Sequence, residues 1–383
     1  MINKLINTIN PFIVMEILEK ATEMEKNGID IIHLEVGEPD FKLPYKLIET
    51  SDKAMRDGHT HYTHSLGDMK LRETIAQHYY HLYGVKVCPQ NVVITSGSSA
   101  AILLSLSTII EPGDEVIVSN PGYACYPNFI KYLHGKVVEV PVYANTGFQY
   151  SPEAIAKKIT PRTKAIIINS PMNPTGNLLS PANMREITSL GPLVISDEIY
   201  HGLVYEGKPN TILEFNPNSI VISGFSKAYA MTGLRLGYCI LPNELIRPIQ
   251  KLQQNLFICA SSVAQKCGIV ALDQCSEDLS NMKATYNKRR IYMLDRLKKL
   301  GFDIPVTPTG AFYIFVNSSH LSSNSYKLAF DILDKSHVGV TPGVDFGTNG
   351  EGFLRFSYAN SIENIDKAMN QLQRYIATLN QNR

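Results

Sequence analysis

Ser223-Gly-Phe-Ser-Lys-Ala-Tyr-Ala-Met-Thr-Gly-Leu-Arg-Leu-Gly237 starts where the apolar run Ile220-Val-Ile222 stops. It holds one lysine, Lys227, among small residues, and Arg235 eight positions on. Small neighbours leave room for a bulky planar group to approach the lysine amine. An arginine offers a forked cationic clamp for a phosphate. The pattern fits a lysine that forms a Schiff base with a carbonyl cofactor. It equally fits a solvated lysine that follows a strand. Residues elsewhere in the chain have to decide between these.

Working outward, the stretch is the last of several similar units. Val92-Val-Ile-Thr95, Glu115-Val-Ile-Val-Ser119, Val137-Val-Glu-Val140, Ala165-Ile-Ile-Ile168, Leu193-Val-Ile-Ser196 and Ile220-Val-Ile-Ser223 are near-continuous Val/Ile runs. Loops and helix-forming segments separate them. Such runs predict an α/β fold with a mostly parallel sheet covered on both faces. In such sheets ligands bind beyond the carboxyl ends of the strands. The chemistry-bearing residues fall there. Ser96-Gly-Ser-Ser99 follows the first run and opens a helix, a way to aim free amides at a phosphate. Tyr123 follows the second run. Asn169-Ser-Pro-Met-Asn173 follows the fourth, Asp197 and Tyr200 the fifth, and Lys227 the last.

Upstream, residues 14–27 read as a helix with Val14, Ile17, Leu18 and Ala21 on one face, and residues 67–83 as another with Leu71, Ile75, Tyr79 and Leu82. Between them, Glu35-Val-Gly-Glu-Pro-Asp-Phe41 is either a plain turn or a loop whose Gly37 lets backbone come close to a ligand. His59, His61 and His64 have a spacing that could suit a metal. They lack an acidic or thiol partner at ligand spacing, and no metal is expected. Downstream, residues 245–275 and 278–300 read as helices, the second with Lys and Arg on a solvated face. Residues 302–315, 338–340 and 353–356 read as strands of a smaller layer. Arg355 sits among apolar residues and needs an anion, either a structural acid or a bound carboxylate.

The 383 residues allow one large domain or two ordinary ones. A net charge of +1 gives no field that would suit nucleic acid or an acidic membrane. No apolar run is long enough to span a bilayer, and the first ten residues lack a signal-peptide core. The six cysteines form no CxxC pair and read as reduced thiols of a cytoplasmic protein.

Taken in order from Glu35 to about Ala359, these motifs make the chain resemble the class I/II aminotransferases, pyridoxal-phosphate enzymes of fold type I. The most specific match is 224–237. Asn169-x-Pro-x-Asn-Pro-Thr-Gly176, Ser196-Asp-Glu-Ile-Tyr200 and Arg355-Phe-Ser-Tyr358 support it. The resemblance implies a large cofactor-binding domain over 45–275 and a smaller α+β domain over 276–383, to which 1–44 contributes. It implies that Lys227 holds the cofactor as a Schiff base and then shuttles a proton. Asp197 would pair with the ring nitrogen, and Tyr200 and Asn173 with the ring oxygen. Tyr123 would stack on the ring. Gly97, Ser98, Ser99 and Arg235 would bind the phosphate, and Tyr62 would reach the phosphate of a neighbouring subunit in a homodimer. Arg355 would clamp the substrate α-carboxylate, with Gly37 and Asn173 near it.

Two positions depart from relatives. Gly224 stands where many have a phosphate-touching serine, which leaves either one hydrogen bond fewer or Ser226 in its place. Ser99 stands where some bacterial aspartate aminotransferases have a lysine that reads a side-chain carboxylate. That favours a neutral donor such as alanine or a branched-chain residue, with aspartate or glutamate also in the field. The implied function is ping-pong transfer of an α-amino group to pyruvate or 2-oxoglutarate. A β-lyase that cleaves a C–S bond would use the same residues. A DNA-binding regulator on this fold is not expected, because the motifs begin at residue 35 and no basic reading motif precedes them.

Overall fold

A computed structural model of the chain describes residues 2–381. Helix α1 (Ile13–Lys26), the short strand β1 (Ile32–His33), α2 (Tyr45–Arg56) and α3 (Met69–Tyr83) lead into β2 (Val92–Thr95). Then follow α4 (Ser98–Ile109), β3 (Glu115–Asn120), α5 (Cys125–Tyr132), β4 (Lys136–Pro141), α6 (Pro152–Ala156), β5 (Thr163–Asn169), α7 (Pro181–Thr188), β6 (Leu193–Asp197), β7 (Ile220–Gly224) and β8 (Gly237–Ile240). The seven strands form one sheet in the order β2-β8-β7-β6-β5-β3-β4. The pairs from β4 to β7 are parallel, as the Val/Ile runs predict. Strand β8 runs antiparallel to both β7 and β2. It is the one strand of this sheet absent from the sequence reading. It spans four residues and begins inside the lysine motif, so no separate apolar run announces it.

The remainder builds a second core. Helices α8 (Asn243–Leu256), α9 (Ser262–Gln274) and α10 (Ser276–Lys299) precede β9 (Tyr313–Asn317). Then come α11 (Ser325–Ser336), β10 (Val338–Gly339), β11 (Thr341–Pro342), β12 (Phe353–Ser357) and α12 (Ile362–Gln381). Strands β11, β12 and β9 form an antiparallel sheet, and β1 pairs in parallel with β10. Ile17, Ala21, Ile32 and Leu34 from the N-terminal segment bury with Phe312, Ile314, Leu328 and Phe356 in one apolar cluster. Among the described residues no helix is long and apolar enough to cross a membrane.

Four expectations need correction. The helix expected over 245–275 is two helices. Ile258 takes a left-handed conformation (φ +66) and Ser261 caps α9 through the Ala264 amide. The strand expected over 302–315 begins only at Tyr313, since Pro305 and Pro308 lack the amides a ladder needs. Leu82 is exposed while Leu71, Ile75 and Tyr79 are buried, because α3 ends one residue later at Tyr83, with Gly84 (φ +71) as its cap. On α10 the cations are not all solvated. Arg289 is buried against Asp40 and the Phe41 ring, and Arg290 against Glu206 and the Pro308 carbonyl.

At the end of β1, His33 is held between Glu35 (2.6 Å) and Glu25 (3.2 Å). The hydrogen bond to Glu35 raises the imidazolium to about pH 9, against the opposing effect of burial. A raised folded value means that the pair stabilises fully below the unfolded value of about 6.5 and fades as pH rises through 9. His33→Gln should therefore lower Tm most near pH 6, and the gap should close above pH 9. A constant gap across that range, read by thermal melts in a pH series, would assign the loss to packing instead.

Candidate active site

The carboxyl ends of the parallel strands open into a cavity of about 550 Å³. Asn169 and Asp197 are register partners at the ends of β5 and β6, and the Asn169 amide donates to the Asp197 carbonyl at 2.9 Å. Tyr123, just past β3, and Lys227, just past β7, line the same space. The four strand ends expected to converge do so.

Asp197 is buried, and its carboxylate accepts from the Tyr126 hydroxyl (2.7 Å) and the Ile199 amide (3.2 Å). Burial pushes this carboxyl up to about 6, and those two hydrogen bonds and the Lys227 charge oppose it. The neighbouring Glu198 does not line this cavity but a second one, of about 490 Å³. Ser196, Thr211 and the Ile212 amide all donate to one of its oxygens. Burial pushes the Lys227 ammonium down to about 8. Glu38 opposes that shift, Arg235 and Arg355 add to it, and Asp197 opposes it. The Lys227 amine donates to the Gly37 carbonyl at 2.7 Å. A side chain at Gly37 would overlap the Tyr313 hydroxyl, so this close approach requires glycine.

Helix α4 begins at Gly97, which has φ +85 and no side-chain cap. A Cβ at Gly97 would come within 2.6 Å of the Arg235 guanidinium. The guanidinium therefore packs against the start of α4, and the unpaired first-turn amides of that helix lie beside it, an arrangement that suits an anion. Ser98, Ser99 and Ser226 line the same cavity.

Arg355, on β12, is 2% exposed. It donates to Asn173 Oδ1 (2.9 Å), the Glu35 carbonyl (2.6 Å) and the Thr341 hydroxyl (3.1 Å). The rings of Tyr313 and Phe346 lie 4.2 and 4.9 Å from the guanidinium carbon. Its Nε is buried without a partner among the described residues. Among the described residues no carboxylate lies within ion-pair distance of it.

Of the residues expected at the site, Gly37, Ser98, Ser99, Tyr123, Asn173, Asp197, Tyr200, Ser226, Lys227, Arg235 and Arg355 line the cavity. Gly97 lies beneath it as the start of α4. Tyr62 does not reach it within this chain and is 79% exposed. Sequence reading missed Tyr126, Tyr313 and an apolar wall of Phe12, Val14, Met15 and Leu18. Tyr126 follows Tyr123 by one helical step, which was a usable signal. Tyr313, whose hydroxyl lies 2.9 Å from that of Tyr200, looked only like core.

The family model described as aminotransferase class I and II matches residues 29–372. The chain belongs to the class I and II aminotransferases. It is 40% identical to the (5-formylfuran-3-yl)methyl phosphate transaminase of Methanocaldococcus jannaschii, over 98% of this aminotransferase and all of that protein. A crystal structure from Methanococcus jannaschii, described as similar in its active site to kynurenine aminotransferases, superposes with TM-score 0.91 at 40% identity, covering 98% and 100% of the two chains. The aspartate aminotransferase of Thermus thermophilus with maleate gives 0.94 at 32% identity, covering 98% and 99%. The aminotransferase is thus a fold type I, pyridoxal-phosphate-dependent enzyme acting on amino acids and 2-oxo acids, and the C–S lyase reading is not favoured. Its residues fit that cofactor. The glycine-cleared α4 terminus suits a phosphate, the buried Asp197 needs a cation, and the desolvated Lys227 amine is a nucleophile near neutral pH.

Proposed function

We propose that this aminotransferase takes a neutral, apolar or aromatic L-amino acid as donor, with pyruvate or 2-oxoglutarate as acceptor. The observation that carries this is the far wall of the cavity. It consists of Phe12, Val14, Met15, Leu18 and Ile102, with Ser99 where a carboxylate-reading enzyme would place a cation. The likeness to a structure compared with kynurenine aminotransferases supports an aromatic donor.

When bound, pyridoxal phosphate supplies an electron sink next to the substrate Cα. Gly97, Ser98, Ser99, Ser226 and Arg235 would hold the phosphate. Asp197, anchored by Tyr126, would keep the ring nitrogen protonated. Tyr123 would stack on the ring, and Tyr200 and Asn173 would donate to its oxygen. Arg355 and Asn173, beside Gly37, orient the donor carboxylate and so fix the direction of the Cα–H bond. Lys227 Nζ would take the donor Cα proton and pass it to the cofactor within the same half-reaction, and would run that transfer in reverse, onto the Cα of the acceptor, in the second. Its lowered value of about 8 leaves an appreciable neutral fraction at pH 7 to 8.

The chain works as a cytoplasmic homodimer in this reading, with Tyr62 completing the partner's phosphate site. The exposed Tyr62 ring and the six free cysteines support it. The domain division that goes with it places 45–275 around the large sheet, and 1–44 with 276–383 around the second core.

The test is a half-reaction screen without acceptor, following loss of the visible band of the lysine-bound cofactor. Valine, phenylalanine and alanine should react faster than aspartate. Ser99→Lys should shift the aspartate-to-valine ratio toward aspartate by about tenfold, the size of one charge-assisted contact. An unmodified protein that prefers aspartate would overturn the donor class. Ammonia release without acceptor would overturn transamination.

A further inference from the structure

Helix α1 has no cap of its own. Phe12 holds the cap position in extended conformation and has no side-chain oxygen to offer. The first amides of the helix donate instead to Asp345, from the other end of the chain. Ile13 N–H reaches Oδ1 at 2.9 Å and Val14 N–H reaches Oδ2 at 3.3 Å. A carboxylate at this place satisfies two otherwise unpaired amides and meets the positive end of the helix dipole.

The position of Asp345 links two parts of the site. On one side it holds the segment whose Phe12, Val14, Met15 and Leu18 wall the cavity, and Phe12 meets the Tyr123 ring edge-on at 6.2 Å. On the other side, the next residue, Phe346, lies under the Arg355 guanidinium, and its carbonyl accepts from the Gly122 amide at 2.9 Å. The charged and titratable groups near Asp345 are Arg355 on β12, Glu16 on α1 and Cys125 on α5. Burial pushes the Asp345 carboxyl up to about 6, while the Ile13 amide, Arg355 and the Val14 amide pull it down and Glu16 pushes it up. At pH 7 it is therefore mostly ionised and acts as a charged acceptor.

We propose that Asp345 is a positioning residue for donor discrimination, seating α1 so that its apolar side chains close the subsite for the donor side chain. A long apolar side chain reaches this wall, whereas the methyl group of alanine stops short of it. The inference rests on the apolar-donor reading, so its test includes a readout that needs no substrate.

The experiment uses the cofactor-loaded protein with Asp345→Ala and Asp345→Asn. Hydrogen exchange of residues 12–24 is measured beside half-reaction kinetics with alanine and with phenylalanine. In Asp345→Ala the first two turns of α1 should exchange about tenfold faster, as expected for a lost helix cap. KM for phenylalanine should rise about as much. KM for alanine, kcat for both donors and retained cofactor should stay within about twofold of the unmodified protein. Asp345→Asn keeps one acceptor oxygen and should restore most of the exchange protection. Unchanged exchange in Asp345→Ala would overturn the seating role. Faster exchange with both donors weakened equally, or with cofactor lost, would overturn the discrimination role and make Asp345 a general structural residue. If the unmodified protein turns over neither donor, the donor class fails, and the exchange data still decide whether Asp345 seats α1.

Discussion

Lys227→Ala is expected to reduce turnover by about 10⁴-fold or more, while pyridoxal phosphate still binds. The size follows from the two tasks that fall on one amine. Covalent attachment splits a difficult exchange into easier steps, and a placed base contributes roughly 10²–10⁴-fold by itself. Among the described residues no other amine lines the cavity. Tyr200, whose phenol lines the same cavity, is held well above its ordinary value by burial, beside the Tyr313 hydroxyl, so it is no base at neutral pH. Binding should survive because the phosphate end of the site, built on Gly97 and Arg235, and the ring end, built on Asp197, do not depend on the lysine. A spectrum showing bound but unlinked cofactor, with turnover lost in single-turnover assays, is the expected pair of results. Turnover within tenfold of the unmodified protein would remove Lys227 from the chemistry. Adding a small primary amine should restore part of the proton transfer, since the cavity left by the side chain is the size of that amine.

How much of this was readable beforehand follows from where the information sits. The strand ends were legible because each chemistry-bearing residue follows its Val/Ile run within a few positions, and a parallel sheet brings such ends together whatever the loops do. Lys227 and Arg235 were legible because they share one short stretch. Features that depend on partners remote in sequence were not. Arg289 looked like a surface cation because its acid, Asp40, lies 249 residues away. The wall formed by α1 looked like ordinary core packing. Its place over the cavity depends on Asp345, 332 residues from Ile13. Periodicity correctly gave α1 a buried face, with Val14, Ile17 and Ala21 buried. It could not tell that Val14 and Leu18 face a ligand cavity as well as protein.

Arg355→Ala should lower kcat/KM for the amino donor by roughly 10²–10³-fold, almost all of it in KM, as expected when a buried, hydrogen-bonded charge loses its partner at about 2–5 kcal/mol. What the guanidinium lacks is a counter-charge in contact with it. Its neighbours satisfy part of its donor set with neutral oxygens from Asn173, Glu35 and Thr341, and two aromatic rings pack near it. None of these neutralises a buried charge, and Nε has no partner among the described residues. A structural ion pair, the other possibility open from sequence, would need an acid in contact with the guanidinium; among the described residues none lies within ion-pair distance, although the charge of the buried Asp345 is felt there. A substrate carboxylate meets both needs, charge and geometry, because a planar fork matches a carboxylate through two parallel bonds. Arg355→Lys separates the two needs: it keeps the charge and loses the fork, so KM should fall between those of the unmodified protein and Arg355→Ala. The cofactor band should be unchanged in both variants, since the residues lining the phosphate space do not include Arg355. If instead both variants lose cofactor and melt together at a lower temperature, Arg355 holds β12 to the loop at Glu35, and the donor carboxylate must be bound elsewhere.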